Sequence, residues 1–170
     1  IPLCPPCRCS SMAQPAFSEV AALHVASEGN GPFAEAMQPV AIEAVDTWVW
    51  LAYDQLNTAF IDAMGVEGTV GVVLIESSHK ARRRPYHQQK LGVLLSNQRH
   101  FALELQAAGY PVHYLIGQAS YGEILSHLCA RLGPVHAVQA AERELRNEVA
   151  SLEVAGHLLM HEHPGWLTPR

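Results

Sequence analysis

Thr69-Val70-Gly71-Val72-Val73-Leu74-Ile75, followed by Glu76-Ser77-Ser78, is the stretch that decides the fold. It is a continuous, β-branched apolar run with no polar alternation. Such a run is a strand buried on both faces, the kind found in parallel sheets. Downstream, Leu91, Leu94, Leu95, Phe101, Ala102 and Leu105 recur at helical spacing. Pro85 suits the first turn of that helix and Gly109 its stop, so the helix is expected to run to about Ala108. A buried strand feeding a long helix is one half of a strand–helix–strand crossover, which returns the next strand parallel to the first.

The same unit repeats on either side. Upstream, Trp48-Val49-Trp50-Leu51-Ala52-Tyr53 reads as a buried strand, and residues 56–64 as a short helix ending near Gly65. Downstream, Val112–Ile116 is a third strand. Ser120 and Glu123 form a capping box for a helix carrying Ile124, Leu125, Leu128 and Leu132 on one face, and Gly133-Pro134 ends it. Val135–Val138, a helix from Glu142 to Ala155, Gly156 and a last strand at His157–Met160 complete the pattern. Strand and helix alternate, which predicts an α/β fold: a doubly wound (Rossmann-like) five-stranded parallel sheet with helices on both faces. Ligands of such sheets sit beyond the carboxyl ends of the strands, where the winding reverses. Tyr53-Asp54-Gln55, Glu76-Ser77-Ser78 and Gln139–Arg143 land on that edge.

Composition narrows the function. The 170 residues are 49% hydrophobic, enough for a core, and carry a net charge of −5. Residues 1–79 hold one basic and nine acidic residues, whereas residues 80–100 hold six basic and none acidic. This concentrated cationic patch suggests an anionic or polar ligand, while the overall charge argues against a general nucleic-acid coat protein. No apolar run is long enough to span a bilayer and no signal-peptide pattern opens the chain, so a cytoplasmic location is the expectation. Neither a Gly-x-Gly-x-x-Gly turn nor a Walker-type loop is present, which lowers dehydrogenase and nucleotide-hydrolase readings. Residues 1–46 mix Pro, Ser, Gly and Ala and are expected to be a poorly structured or weakly helical extension, with Met12 and Met37 as alternative starts. Cys4, Cys7 and Cys9 have one metal-like spacing but no second pair, and Cys129 falls on an apolar helix side.

Several of these residues resemble one family. Tyr53-Asp54-Gln55-Leu56 is similar to the Gly-Asp-Gln-Leu turn that closes the first strand in the photolyase-related proteins of prokaryotes, the iron–sulfur bacterial cryptochromes and (6-4) photolyases. Glu76, Tyr86-His87-Gln88-Gln89-Lys90-Leu91 and Ser96-Asn97-Gln98-Arg99-His100-Phe101-Ala102 resemble the histidine- and lysine-bearing segment of that family. Gly109 with Val112 and Tyr114, Glu142-Arg143-Glu144-Leu145-Arg146, and His163-Pro164-Gly165-Trp166-Leu167-Thr168 continue the likeness in order. The resemblance covers about residues 47–168.

It implies an N-terminal antenna-type domain at 47–163, with 164–170 as the start of a linker. The partner it implies is a C-terminal domain carrying FAD, an iron–sulfur cluster and a DNA-binding groove. The intact protein would then repair DNA as a photolyase or signal under blue light, and this chain alone would perform no catalysis. By the same resemblance, a ribityllumazine-like antenna chromophore would be held by Tyr53, Asp54, Gln55, Glu76, Lys80, Leu94 and Glu142. Lys80 departs from the pattern, standing where a lumazine-binding relative is expected to place a glutamate, and Tyr53 adds bulk in place of the turn's glycine. The reversed charge at Lys80 opens the site to an anionic or different chromophore, or to none, in place of lumazine, and the bulk of Tyr53 is enough to fill the pocket outright.

Other readings attach to particular residues. Asp54 suits a helix cap as well as a ligand contact. Glu76 suits an ion pair with a nearby arginine, and Leu94 a place in the core. Arg82, Arg83 and Arg84 fit a solvated docking loop or phosphate contacts with DNA. His87 and His100 lie about 140° apart around a helix and share no face, which argues against joint catalysis. His161 and His163 alternate at a strand end and point the same way, as an exposed end or a metal pair would. The alternative to the antenna domain is a stand-alone Rossmann-like nucleotide-binding or protein-interaction module.

Overall fold

Five parallel strands cross the centre of the molecule, as the buried apolar runs require: β2 (Thr47–Trp50), β3 (Val70–Ser77), β4 (Val112–Gly117), β5 (Val135–Val138) and β6 (Leu158–His161). The computed structural model describes residues 23–29, 31–83 and 87–165. Cys4, Cys7, Cys9, Met12, Arg84, Pro85, Tyr86 and the linker segment from Trp166 onward lie outside the described residues. The helices are α1 (Pro32–Ala36), α2 (Ala59–Met64), α3 (Ser78–Arg83), α4 (Gln88–Ala107), α5 (Tyr121–Leu132) and α6 (Arg143–Val154).

The sheet has six strands rather than five, and it is not wholly parallel. A short strand, β1 (His24–Val25), pairs antiparallel with β4, giving the order β1-β4-β3-β2-β5-β6. Residues 23–46, expected to be poorly structured or weakly helical, also supply α1 and 3₁₀ turns at Ala26–Glu28 and Ile42–Ala44. The reason is local burial: Leu23, Ala26 and Met37 are packed into the core. Gly117 makes room for Leu23, since a Cβ there would sit 2.8 Å from the Leu23 Cδ1 atom. Two further boundaries differ from expectation. Residues 78–83, read as loop, form α3, and α4 begins at Gln88 with His87 as its cap, the His87 ring accepting from the Gln89 amide.

Leaving β1 aside, the order β4-β3-β2-β5-β6 is that of a sheet wound outward in both directions from β2. The strand pleat divides the core in two. Trp48, Trp50, Val73, Ile75 and Leu115 pack with Ile124, Leu125 and Leu128 of α5 and Leu145, Val149 and Leu152 of α6. Val49, Leu51, Val72, Leu74 and Tyr114 pack with Ile61 and Met64 of α2 and Phe101, Ala102 and Leu105 of α4. The predicted capping box starts α5: Ser120 accepts from the Glu123 amide while the Glu123 carboxylate receives the Ser120 N–H. Glu123 is held below the usual carboxylate range by these same bonds. Only the second half of α4 lies on the sheet; its first turns extend past the strand ends, with Leu91, Leu94 and Leu95 half-buried.

Two consequences are measurable. At Gly122 a Cβ would stand 2.7 Å from the Glu148 carbonyl oxygen, so the α5–α6 contact depends on the missing side chain. Gly122→Ala is expected to lower stability by about 1–3 kcal/mol in urea denaturation. Gly92→Ala, in open space on α4, is expected to raise it by about 0.5–1 kcal/mol.

His113 is buried on β4 beside Trp48. Burial, reinforced by Arg131, lowers its pKa to about 4 from an ordinary 6.5. As pH falls from 6.5 toward 4, the unfolded chain takes up a proton that the folded chain refuses, and stability drops. Unfolding at pH 4.5 is therefore expected to cost about 2 kcal/mol less than at pH 7.5 through this group. His113→Leu should flatten that part of the profile; an unchanged slope in the variant would contradict the assignment.

Candidate functional site

The reversal of winding lies between the carboxyl ends of β2 and β5, and one side chain closes it. Gln55, 1% exposed, donates its amide to the carbonyls of Val138 and Gln139, each at 3.2 Å. Its Oε1 accepts from the Ala52 amide at 3.4 Å. A buried amide is costly unless its hydrogen bonds are made, and here they are made to the protein. Gln55 is thus a strut that joins the two strand ends.

The open space lies beside it, toward α3 and α4. A cavity of about 290 Å³ is lined by Tyr53 after β2, Lys80 of α3, Leu94 of α4, Tyr121 of α5 and Glu142 just before α6. Three of these converge. The Lys80 ammonium is paired with the Glu142 carboxylate and donates to the Tyr53 hydroxyl, which in turn donates to Glu142. The ammonium also sits over the Tyr53 ring, 4.6 Å from its centroid. Lys80 and Glu142 are both about one-quarter exposed, at 26% and 28%. Burial, and then the Glu142 carboxylate, push the Tyr53 pKa far above its ordinary value. The phenol therefore keeps its proton and acts as a donor. Tyr121 is likewise pushed up, by burial first and then by Glu148 and Glu142, and its ring lies 6.2 Å from that of Tyr53.

The remaining candidates divide. Asp54 is exposed and borders a shallower groove that shares Tyr53, Lys90 and Leu94 with the cavity. It does not cap α2, whose N-cap position is held by Thr58 without a side-chain cap bond; ahead of it the Asn57 side chain accepts from the Ala59 amide at 2.9 Å. Glu76 stands outside the cavity lining. Arg99 donates to both its oxygens at 2.8 and 2.9 Å, and the Tyr114 hydroxyl donates at 3.0 Å. Arg99 also lies over Phe33 of α1, which ties residues 32–36 to this part of the sheet. Of the seven residues singled out in the sequence, Tyr53, Lys80, Leu94 and Glu142 line one cavity, Asp54 flanks it, and Gln55 and Glu76 are engaged within the protein.

Sequence reasoning placed Ser77 on this edge but missed Ala81, Lys90, Leu91, Leu95, Gln98 and Tyr121 of the lining. The signal for three of them was available: Leu91 and Gln98 lie three and four residues from Leu94 along the helix, and Lys90 lies one turn before it. Gln98 is buried and anchored through its amide to the Ile75 carbonyl at 2.9 Å. Tyr121 had no such signal, because it is placed by the capped start of α5.

Chemically the site offers aromatic rings, an aliphatic helix face, two ammonium groups and one carboxylate. It suits recognition of a flat, partly polar molecule by stacking and charge-assisted hydrogen bonds. Among the described residues no group of three or more His, Cys, Asp or Glu side chains is placed to hold a metal ion. Among them, too, no helix is long and apolar enough to cross a membrane.

No curated protein matches the chain. A family model described as deoxyribodipyrimidine photo-lyase-related protein matches residues 49–170, from within β2 to the last residue of the sequence. With well over half of the chain covered, the protein belongs to the deoxyribodipyrimidine photo-lyase-related family.

Proposed function

We propose that this chain is the antenna-type domain of a flavoprotein in the iron–sulfur bacterial cryptochrome and (6-4) photolyase branch, and that its cavity receives a flat heteroaromatic chromophore. One observation supports this reading above the others. Tyr53, Lys80, Leu94, Tyr121 and Glu142, from five separate segments, meet around about 290 Å³ of space at the carboxyl edge of the sheet. That volume approaches the lower end of small-ligand sites, about 300 Å³.

In this reading the domain makes and breaks no bonds. The chromophore absorbs near-ultraviolet or blue light and passes excitation to FAD in a C-terminal domain, whose work is DNA repair or light signalling. Tyr53 and Tyr121 supply stacking surface, and Leu91, Leu94 and Leu95 exclude water. Lys80 and Lys90 together outweigh Glu142, so the pocket favours a ring system bearing an anionic group over neutral ribityllumazine. Such a group would take over part of the Lys80 hydrogen bonding now given to Glu142 and Tyr53. The exposed Arg82 of α3 is available for contact with the flavin domain or with DNA phosphates.

The test is the absorption spectrum of the full protein as purified. A near-ultraviolet or blue band beyond that of flavin is expected. Leu94→Trp, which fills the cavity, should reduce that band at least about tenfold at unchanged Tm. Lys80→Met should weaken chromophore retention by about tenfold, the scale of one charge-assisted hydrogen bond. A protein with no chromophore beyond flavin, or a band indifferent to Leu94→Trp, would remove the antenna role.

A further inference from the structure

One buried amide on the cavity wall is only half engaged by the protein. Gln98 sits where α4 leaves the sheet, between the packed Phe101 and Ala102 and the overhanging Leu94 and Leu95. It is 1% exposed and lines the cavity. Its Nε2 donates to the Ile75 carbonyl at 2.9 Å, and because only the nitrogen can donate, the other end of the amide is fixed as Oε1. Among the described residues Oε1 has no hydrogen-bond partner, and it is not sealed in the core as the Trp50 indole nitrogen is. The space it opens on is the cavity. Gln55 makes the contrast, since that buried amide uses both ends on backbone groups.

Tyr121 repeats the pattern. It is 6% exposed and lines the same cavity, and its hydroxyl has no hydrogen-bond partner among the described residues. Burial, and then Glu148 and Glu142, keep the phenol protonated, so the hydroxyl is a donor. Buried polar groups are ordinarily satisfied, and two that open on one cavity are completed by what enters it. The cations lie toward solvent, Lys90 being exposed and Lys80 about one-quarter exposed. A ligand therefore enters with an uncharged polar edge inward and its anionic group toward the lysines.

Resting on the chromophore reading of this cavity, we propose that Gln98 and Tyr121 select the ligand by that inner edge. Gln98 Oε1 accepts from a ring N–H, and the Tyr121 hydroxyl donates to a ring carbonyl. The class that meets both is a planar heteroaromatic lactam, with N–H and C=O adjacent on one edge and an acidic substituent across the ring system. Gln98 is the sharper discriminator, because a site built to bond an N–H leaves its own acceptor unpaired against an analogue that lacks one.

The probes are 2-quinolone-6-carboxylate, a fluorescent two-ring lactam with its acid across from the N–H, and its N-methyl derivative, each titrated into the full chain. The N–H probe should bind at least about tenfold more tightly than the N-methyl one. Gln98→Met, apolar and similar in volume, should bring the two within about threefold of each other, and Tyr121→Phe should weaken both about fivefold while keeping their ratio. Leu94→Trp should abolish both, which locates the probes in this cavity. An unchanged Tm reports that each variant is folded, and the comparison of the two probes needs no variant. Equal binding of both probes by the unaltered chain, or a tenfold preference that persists in Gln98→Met, would overturn the inference while binding lost in Leu94→Trp leaves the cavity reading standing. Binding of neither probe, or binding that survives Leu94→Trp, would overturn both.

Discussion

Gln55 is the side chain on which the arrangement of the carboxyl edge depends. Its amide bridges the ends of β2 and β5 at the point where an open α/β sheet ordinarily leaves a crevice. With that crevice closed by the protein, the cavity lies to one side, beside the ends of β2 and β3 and against the first turns of α4. The overhang of α4 then has a purpose in the fold. Its leucines are half-buried because they face a cavity rather than the sheet.

Around that space, electrostatics do what packing cannot. Lys80, Tyr53 and Glu142 belong to segments far apart in the chain, and their mutual hydrogen bonds tie α3 to the start of α6 across the loop after β2. A partly buried charge left alone is costly, so each member holds the others in position. Burial, and then the Glu142 carboxylate, keep the Tyr53 phenol protonated, which fixes its role as donor. Glu76, Arg99 and Tyr114 form a comparable cluster nearby, but it is closed on itself and linked to α1 through Phe33.

Much of this was legible in the sequence because it rests on patterns of short range. The unbroken apolar run at Val70–Ile75 and the capping box at Ser120 announced β3 and α5. The alternation of strands and helices announced the parallel sheet. β1 was not legible: two residues carry no periodicity, and what holds them is Leu23 against the bare Gly117. At the site, position along the strand ends pointed to Tyr53 and Glu142, and the family resemblance to Lys80. It could not tell that Gln55 and Glu76 would turn inward, because that depends on partners 83 and 23 residues away. Tyr121 was missed for the same reason, its place being set by the direction of α5 rather than by any local signal.

A double-mutant cycle on Lys80 and Glu142 tests the central claim most directly. Stabilities of Lys80→Met, Glu142→Gln and the double variant would be measured by chemical denaturation at neutral pH and low salt. The convergence of α3 and α6 on one cavity predicts a coupling of about 1 kcal/mol, the double variant losing less than the two single changes together. Strict additivity, within about 0.3 kcal/mol, would mean that the two side chains do not meet and that the cavity is not walled as described.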